Sequence, residues 1–328
     1  MRTENSMTRT KATTTWLVGD IGGTNARFGL VSPDGAMLHS RVLADADYPG
    51  IAEAIDAYLA DRGGLPRPRR GAIAIASPVA GDEVRMTNHP WRFSVSALAK
   101  RLGFQRLLVI NDFTAQALAL PRLKPEDRTA VGGGKPAAGA PIGVLGPGSG
   151  LGVSGLIPSG KRWIPLTGEG GHATMAPITD RESDVLGAMR RHLDHVSGER
   201  VLSGPGLVNL YHALAEIDGV PARQYTAAQI SDVETGKSDA LCAEATQMFC
   251  AMLGTVAGNL ALTLGASGGV YIGGGIVPRL GERFVASQFR ERFESKGRFH
   301  DYLAAIPTYV VTHQLPAFLG CAAALMEK

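Results

Sequence analysis

Asn111 and Asp112 stand where an apolar run, Leu107 to Ile110, gives way to a helix-like run, Ala115 to Leu120, that Pro121 stops. A carboxylate at the carboxyl end of a buried strand, with an amide beside it, suits removal of a proton from a hydroxyl. The competing role for Asp112 is a helix N-cap, a position that Asp and Asn both favour. A second kind of chemistry is carried by glycine. Gly19-Asp20-Ile21-Gly22-Gly23-Thr24 joins a short strand, Trp16 to Val18, to an alternating run, Ala26, Phe28 and Leu30. A glycine loop from strand to strand is neither a Walker A loop nor a dinucleotide fingerprint, since both of those open a helix. It can still aim backbone N–H groups at a phosphate. Thr24 could add its hydroxyl, and Asp20 could hold Mg2+ through water. An ordinary Gly-rich hairpin has the same composition.

The opening pattern returns further on. Val144-Leu145-Gly146 leads into Pro147-Gly148-Ser149-Gly150-Leu151-Gly152, and Val153 to Ile157 follows. Two strand–turn–strand units far apart suggest two related halves. Their glycine turns, facing each other across a cleft, could hold the phosphates of one nucleotide, Ser149 and Gly150 belonging to the second turn. Gly273-Gly274-Gly275 ends the strand Gly269 to Ile272, and a flat adenine could lie against the backbone of Gly274 and Gly275. Two polar stretches could recognise hydroxyls: Met86 to Trp91 with Asn88, and Gly168 to His172, whose Glu169 and His172 suit hydrogen bonds to a sugar; Glu199 stands near the mouth of a helix. Glu169 and His172 lack the further ligands that a metal site needs. A turn with an incidental histidine and an exposed surface glutamate are the plain alternatives.

The elements that must position these residues follow from pattern. Ile51 to Leu59 has a helical rhythm that Gly63-Gly64 ends; Ala72 to Ala76 reads as a buried strand; Lys124 to Pro141 reads as a linker or surface loop. Ser203 or Gly204 could cap a helix with Pro205 in its first turn, running through Leu207, Leu210, Tyr211 and Leu214. Ala243 to Leu264 is a long apolar helix in which Gly254 and Gly258 allow close packing, Thr308 to Thr312 a strand, and Ala317 to Met326 a closing helix.

Composition narrows the class. At 328 residues with 45% hydrophobic content, two cores are the default. The 42 glycines carry no Gly-X-Y period, so they signal tight turns and not collagen. The net charge of +3 is dispersed, which leaves no nucleic-acid footprint. Its densest cluster, Arg67, Arg69 and Arg70, reads as a solvated loop before a strand. Cys242, Cys250 and Cys321 show no metal spacing and suit the reduced thiols of a cytoplasm. Residues 1–15 lack the apolar core of a secretory signal. Every apolar run is interrupted by Gly or polar residues, so no membrane-spanning segment is expected.

Six stretches taken in order resemble the bacterial ATP-dependent glucokinases, the branch without the zinc-binding cysteines of repressor-type sugar kinases. They are residues 19–27, 86–89, 110–115, 168–172, 199–211 and 273–278, and the resemblance runs from Trp16 almost to the end. It implies the duplicated actin-like, ribonuclease-H-like α/β fold, with two α/β domains, a cleft between them and a hinge. The implied division is a flexible tail 1–15, a smaller domain 16–122 with 313–328, and a larger domain 123–312. It also implies transfer of the γ-phosphoryl group of ATP to the 6-hydroxyl of glucose, with ATP and Mg2+ as cofactors. By that resemblance Asp112 is the base, Asn111, Glu169, His172 and Glu199 contact the sugar, and the first glycine turn holds the ATP phosphates. Ser149 stands where Thr is the family's pattern, which keeps the hydroxyl. A cytoplasmic homodimer with no nucleic-acid or membrane partner is the expected assembly. The rivals are another sugar kinase of this fold and a non-catalytic sugar-responsive regulator.

Overall fold

The computed structural model describes residues 14–87 and 89–327. Most of the expected tail, and the candidate sugar contact Asn88, lie outside the described residues. Thr15, placed in that tail by the sequence, is buried, and its hydroxyl donates to the Pro66 carbonyl at 2.7 Å. The chain forms two compact units. One takes the chain up to Ala119 and again from Leu315, and the other takes Leu120–Gln314.

In the first unit the alternating run becomes a hairpin: β1 (Trp16–Ile21) pairs antiparallel with β2 (Asn25–Val31). β3 (Met37–Ala44) extends it antiparallel on the outer side. β4 (Arg70–Ile75) lies parallel to β1. A small ladder of β5 (Glu83–Arg85) and β6 (Arg92–Ser94) stands apart, and β7 (Arg106–Asn111) lies parallel to β4. The sheet order is therefore β3-β2-β1-β4-β7. On one face Phe28 and Ile73 are buried with Ile55 and Tyr58 of the helix Ile51–Ala60. The other buries Val18, Ala74, Phe318 and Cys321, where the closing helix Pro316–Met326 packs. A Cβ on Gly320 would collide with the Ala115 carbonyl, so glycine sets how closely this helix approaches the helix Asp112–Ala119.

The second unit repeats the scheme. β8 (Arg128–Val131) comes first in the chain. β9 (Ile142–Pro147), β10 (Leu151–Ser159) and β11 (Arg162–Leu166) form an antiparallel meander, and β12 (Val270–Ile272) and β13 (Thr308–Val311) add parallel to β9. The order is β11-β10-β9-β12-β13-β8. Apart from β8, this is the first sheet again: three antiparallel strands, then two parallel ones. The halves that the two glycine turns suggested are thus a duplicated α/β fold.

Two expectations need correction. Lys124 to Pro141 is not all loop, because β8 lies within it and pairs antiparallel with β13. Four residues on a sheet edge, two of them exposed, have no periodicity to read. Nor is every apolar run too short to cross a membrane: the helix Ala240–Leu264 has the length and composition to do so, with most of that span buried within the protein. It is the central helix of the second core, capped by Asp239 and ended by Gly265 in the left-handed conformation. A Cβ on Gly254 or Gly258 would meet the carbonyl of Phe289 or Phe293, which accounts for both glycines.

Candidate active site

β7 ends at Asn111 and the next helix begins at Asp112. The cap falls to Asn111: its Oδ1 accepts the N–H groups of Phe113 at 2.9 Å and Thr114 at 3.1 Å. Its amide donates to Asp112 Oδ1 at 3.0 Å and towards the Ser77 carbonyl at 3.4 Å. Asp112 Oδ1 also accepts the Phe113 N–H at 2.9 Å. Asn111 therefore terminates the strand, caps the helix and orients the carboxylate of Asp112, and the two side chains share the Phe113 N–H. Ser77 follows the stretch Ala72 to Ala76 that the sequence marks as a buried strand. Its buried hydroxyl accepts the Thr87 N–H at 2.8 Å, tethering the loop that begins at Met86 to the support of Asn111. No sequence pattern signals that tie, since Ser77 meets Thr87 ten residues on and Asn111 34 residues on.

The first glycine turn is the three-residue connection between β1 and β2. Gly22 N–H donates to Asn25 O at 3.1 Å, and Asp45 N–H to Thr24 O at 3.0 Å. Gly23 and Thr24 are exposed, and among the described residues neither N–H has a partner within the protein. Both donors are open to an incoming anion. A Cβ on Gly22 would meet only Asn25 O, at 3.8 Å, so the turn's own packing does not demand glycine there. Gly19 and Ile21 are different. Ile21 is wholly buried, and a Cβ on Gly19 would press on Ile73 and Phe28 at 3.2 and 3.3 Å. Asp20 pairs with its cross-strand neighbour Arg27 at 3.3 Å. Burial raises the pKa of Asp20, against the charge and hydrogen bond of Arg27. Beyond β3, the Asp45 carboxylate is buried with no hydrogen-bond partner among the described residues. Burial raises its pKa too, opposed by the charge of His89.

The second unit gathers the other candidates. The turn Gly148-Ser149-Gly150 between β9 and β10 is held from two sides. Gly204 N–H donates to Gly148 O at 2.8 Å, and Glu199 Oε2 accepts the Leu151 N–H at 2.9 Å. On the other side Gly274, at φ +77°, sits so close to the Pro147 carbonyl that any Cβ would collide with it, while Gly275 is exposed. Ser203 caps the helix Gly204–Ile217 by accepting the Gly206 N–H at 3.0 Å, and its hydroxyl donates to the Glu199 carbonyl at 2.8 Å. The loop with Glu169 and His172 runs against β10, where a Cβ on Gly171 would collide with the Leu151 carbonyl. His172 Nδ1 lies 3.9 Å from Glu199 Oε1, both side chains partly exposed. Glu169, exposed, opens the short 3-10 turn Gly170–His172. Glu169, His172, Glu199, Ser149, Gly150 and Gly274 thus come together from four segments spread over 126 residues of sequence, from Ser149 to Gly274.

Among the described residues no group of three or more His, Cys, Asp or Glu side chains could cage a metal ion. A single carboxylate such as Asp20 fits Mg2+, which keeps part of its water shell and takes phosphate oxygens as ligands.

Comparison with known proteins agrees with this architecture. The family model described as Glucokinase matches residues 17–328. A glucokinase of Paramagnetospirillum magneticum is 56% identical over 307 residues, 93% of this chain and 96% of that protein. One of Aromatoleum aromaticum is 54% identical over 310 residues, 94% of each chain. The crystal structure of a glucokinase from an Antarctic psychrotroph superposes with a TM-score of 0.88 at 37% identity, covering 96% of this chain and 99% of that one. The fold is that of the actin-like sugar kinases, and the chain belongs to the glucokinase family.

Proposed function

We infer that the protein transfers the γ-phosphoryl group of ATP to the 6-hydroxyl of glucose, releasing glucose 6-phosphate and ADP. The observation that carries this reading is the division of labour at Asn111 and Asp112. Asn111 caps the helix with its oxygen and donates its amide to Asp112 Oδ1, which fixes that carboxylate at the carboxyl end of a buried strand, where a hydroxyl's proton could be taken. Asp112 takes the proton of the 6-hydroxyl as its oxygen bonds to the γ-phosphorus and the bond to the β–γ bridging oxygen breaks. Phosphoryl transfer depends mainly on positioning and charge stabilisation. The free N–H groups of Gly23 and Thr24, and the turn at Ser149 and Gly150, supply donors for the phosphates. Gly274 and Gly275 offer backbone for the adenine.

Asn111, Glu169, His172 and Glu199 are assigned to the glucose hydroxyls, with Asn88 as a further contact. A site built to hydrogen-bond a hydroxyl leaves its own groups unpaired when that hydroxyl is missing, so such residues discriminate between sugars. Asp20 would hold Mg2+ through water. When bound, the ion would supply neutralisation of the phosphate charge. The reading assigns the enzyme to the cytoplasm, as a homodimer.

Asp112→Asn tests it. Turnover, followed by coupled ADP release, should fall by about 10²–10⁴-fold, while calorimetric glucose binding persists. Near-normal kcat in the folded variant would make Asp112 structural and sink the mechanism.

A further inference from the structure

Glu199 makes a contact that sugar recognition alone does not need. Oε2 accepts the N–H of Leu151, the residue that closes the second glycine turn. Oε1 lies 3.9 Å from His172 Nδ1. One carboxylate thus spans the loop assigned to the sugar and the turn assigned to the phosphates. The backbone on both sides of it is held by hydrogen bonds. Ser203 donates to the Glu199 carbonyl at 2.8 Å while capping the helix that follows, and Gly204 N–H holds Gly148 O at 2.8 Å. Gly150 packs so closely on the carboxylate that an added Cβ would collide with Oε2. The Leu151 N–H and the close approach of Gly150 thus join the position of this side chain to that of the turn.

We propose that Glu199 is the positioning residue through which glucose sets the phosphate-binding turn, so that glucose and nucleotide bind cooperatively. This rests on the assignment of Glu199 to the sugar and of residues 148–151 to the phosphates. By linkage the effect is reciprocal: a nucleotide that tightens glucose binding is itself tightened by the same factor.

The test is calorimetric: glucose titrated with and without saturating β,γ-imido-ATP, and the nucleotide titrated with and without glucose. For the wild-type protein the expected ratio of Kd values is at least about fivefold in both directions, the lower end of ordinary couplings. Glu199→Ala should bring that ratio to about one while the nucleotide still binds. Glu199→Gln keeps an oxygen acceptor for the Leu151 N–H, so it should weaken glucose binding yet retain coupling. Gly150→Ala, a methyl group placed in the nucleotide turn, should weaken glucose binding by displacing the carboxylate. No coupling in the wild type, an unchanged ratio in Glu199→Ala, or unchanged glucose Kd in Gly150→Ala would each overturn the proposal. A different pattern marks failure of the underlying assignment: glucose Kd unaffected in both Glu199 variants means that Glu199 does not touch the sugar at all.

Discussion

At Asn111 a single side chain does two jobs, and substitutions can separate them. Asn111→Ala removes the cap from the helix Asp112–Ala119 and should cost about 0.5–2 kcal/mol of stability. Asn111→Asp retains an oxygen for the N–H groups of Phe113 and Thr114 but loses the amide that donates to Asp112. It also places a second carboxylate beside the first, which raises the pKa of one of the pair. Asn111→Asp should therefore be the more stable of the two variants and still lose about tenfold or more in kcat. Denaturant titration and steady-state kinetics on both decide it: if Asn111→Asp turns over normally, Asn111 is only a cap. Asp20 poses a similar question, because it is both the proposed Mg2+ partner and the ion-pair partner of Arg27. Asp20→Ala should raise KM for Mg-ATP and shift its Mg2+ dependence while leaving calorimetric glucose affinity intact. Arg27→Ala is the control, since a matching effect there would assign the loss to the ion pair.

Between elements, glycine has opposite consequences in two helices, and the surroundings decide the sign. Gly187 lies inside the helix Asp180–Arg190, where an added Cβ would have only Arg190 Nη2 nearby, at 3.9 Å. Gly187→Ala should stabilise the protein by about 0.5–1 kcal/mol, because glycine in a helix interior surrenders more backbone entropy than alanine. Gly254 lies inside the helix Ala240–Leu264, and there the new Cβ would run into the Phe289 carbonyl. Gly254→Ala should be destabilising despite the same gain in helix propensity, by about 1–3 kcal/mol as for other overpacked cores. Thermal unfolding of the two variants side by side checks the pair, and a higher Tm for Gly254→Ala would show that the two segments can move apart freely.

Across the second unit, one buried ion pair joins segments far apart in the chain. Glu182 accepts Arg292 at 2.6 and 3.1 Å, and Arg292 also donates to Thr255 at 3.0 Å. Glu182 is only 2% exposed. Burial opposes its ionisation, but the Arg292 hydrogen bond, the Ile178 and Thr179 N–H groups and the Arg292 charge outweigh that and lower its pKa. A carboxyl lowered in the folded state stabilises above its unfolded pKa, and that stabilisation is lost as pH falls through the folded value. Glu182→Gln leaves Arg292 buried without a counter-charge and should cost about 3–5 kcal/mol at pH 7. The gap between variant and wild type should narrow in acid. Urea titrations from pH 7 downwards would show it, and a gap independent of pH would mean that the pair's charge contributes nothing.

The sequence alone determined the family, the duplicated α/β scheme and most elements around the site, because those rest on short-range signals. Glycine turns, a carboxylate at a strand end and apolar periodicity are all written within about ten residues of one another. The two hairpins at Gly22–Thr24 and Gly148–Gly150 show this most directly. Tertiary structure decided which partner each polar group takes. The amide of Asn111, whose oxygen caps the helix, reaches towards the carbonyl of Ser77, which lies 34 residues away. Glu199 reaches back 48 residues to the Leu151 N–H, a link with no local trace. The edge strand β8 exists only because β13, far along the chain, offers its backbone. The helix Ala240–Leu264 is apolar enough for a bilayer, yet its side chains fill a core. Hydrogen-bond choice and burial belong to the folded neighbourhood, since an N–H or an apolar face records only that it needs a partner and not which one comes.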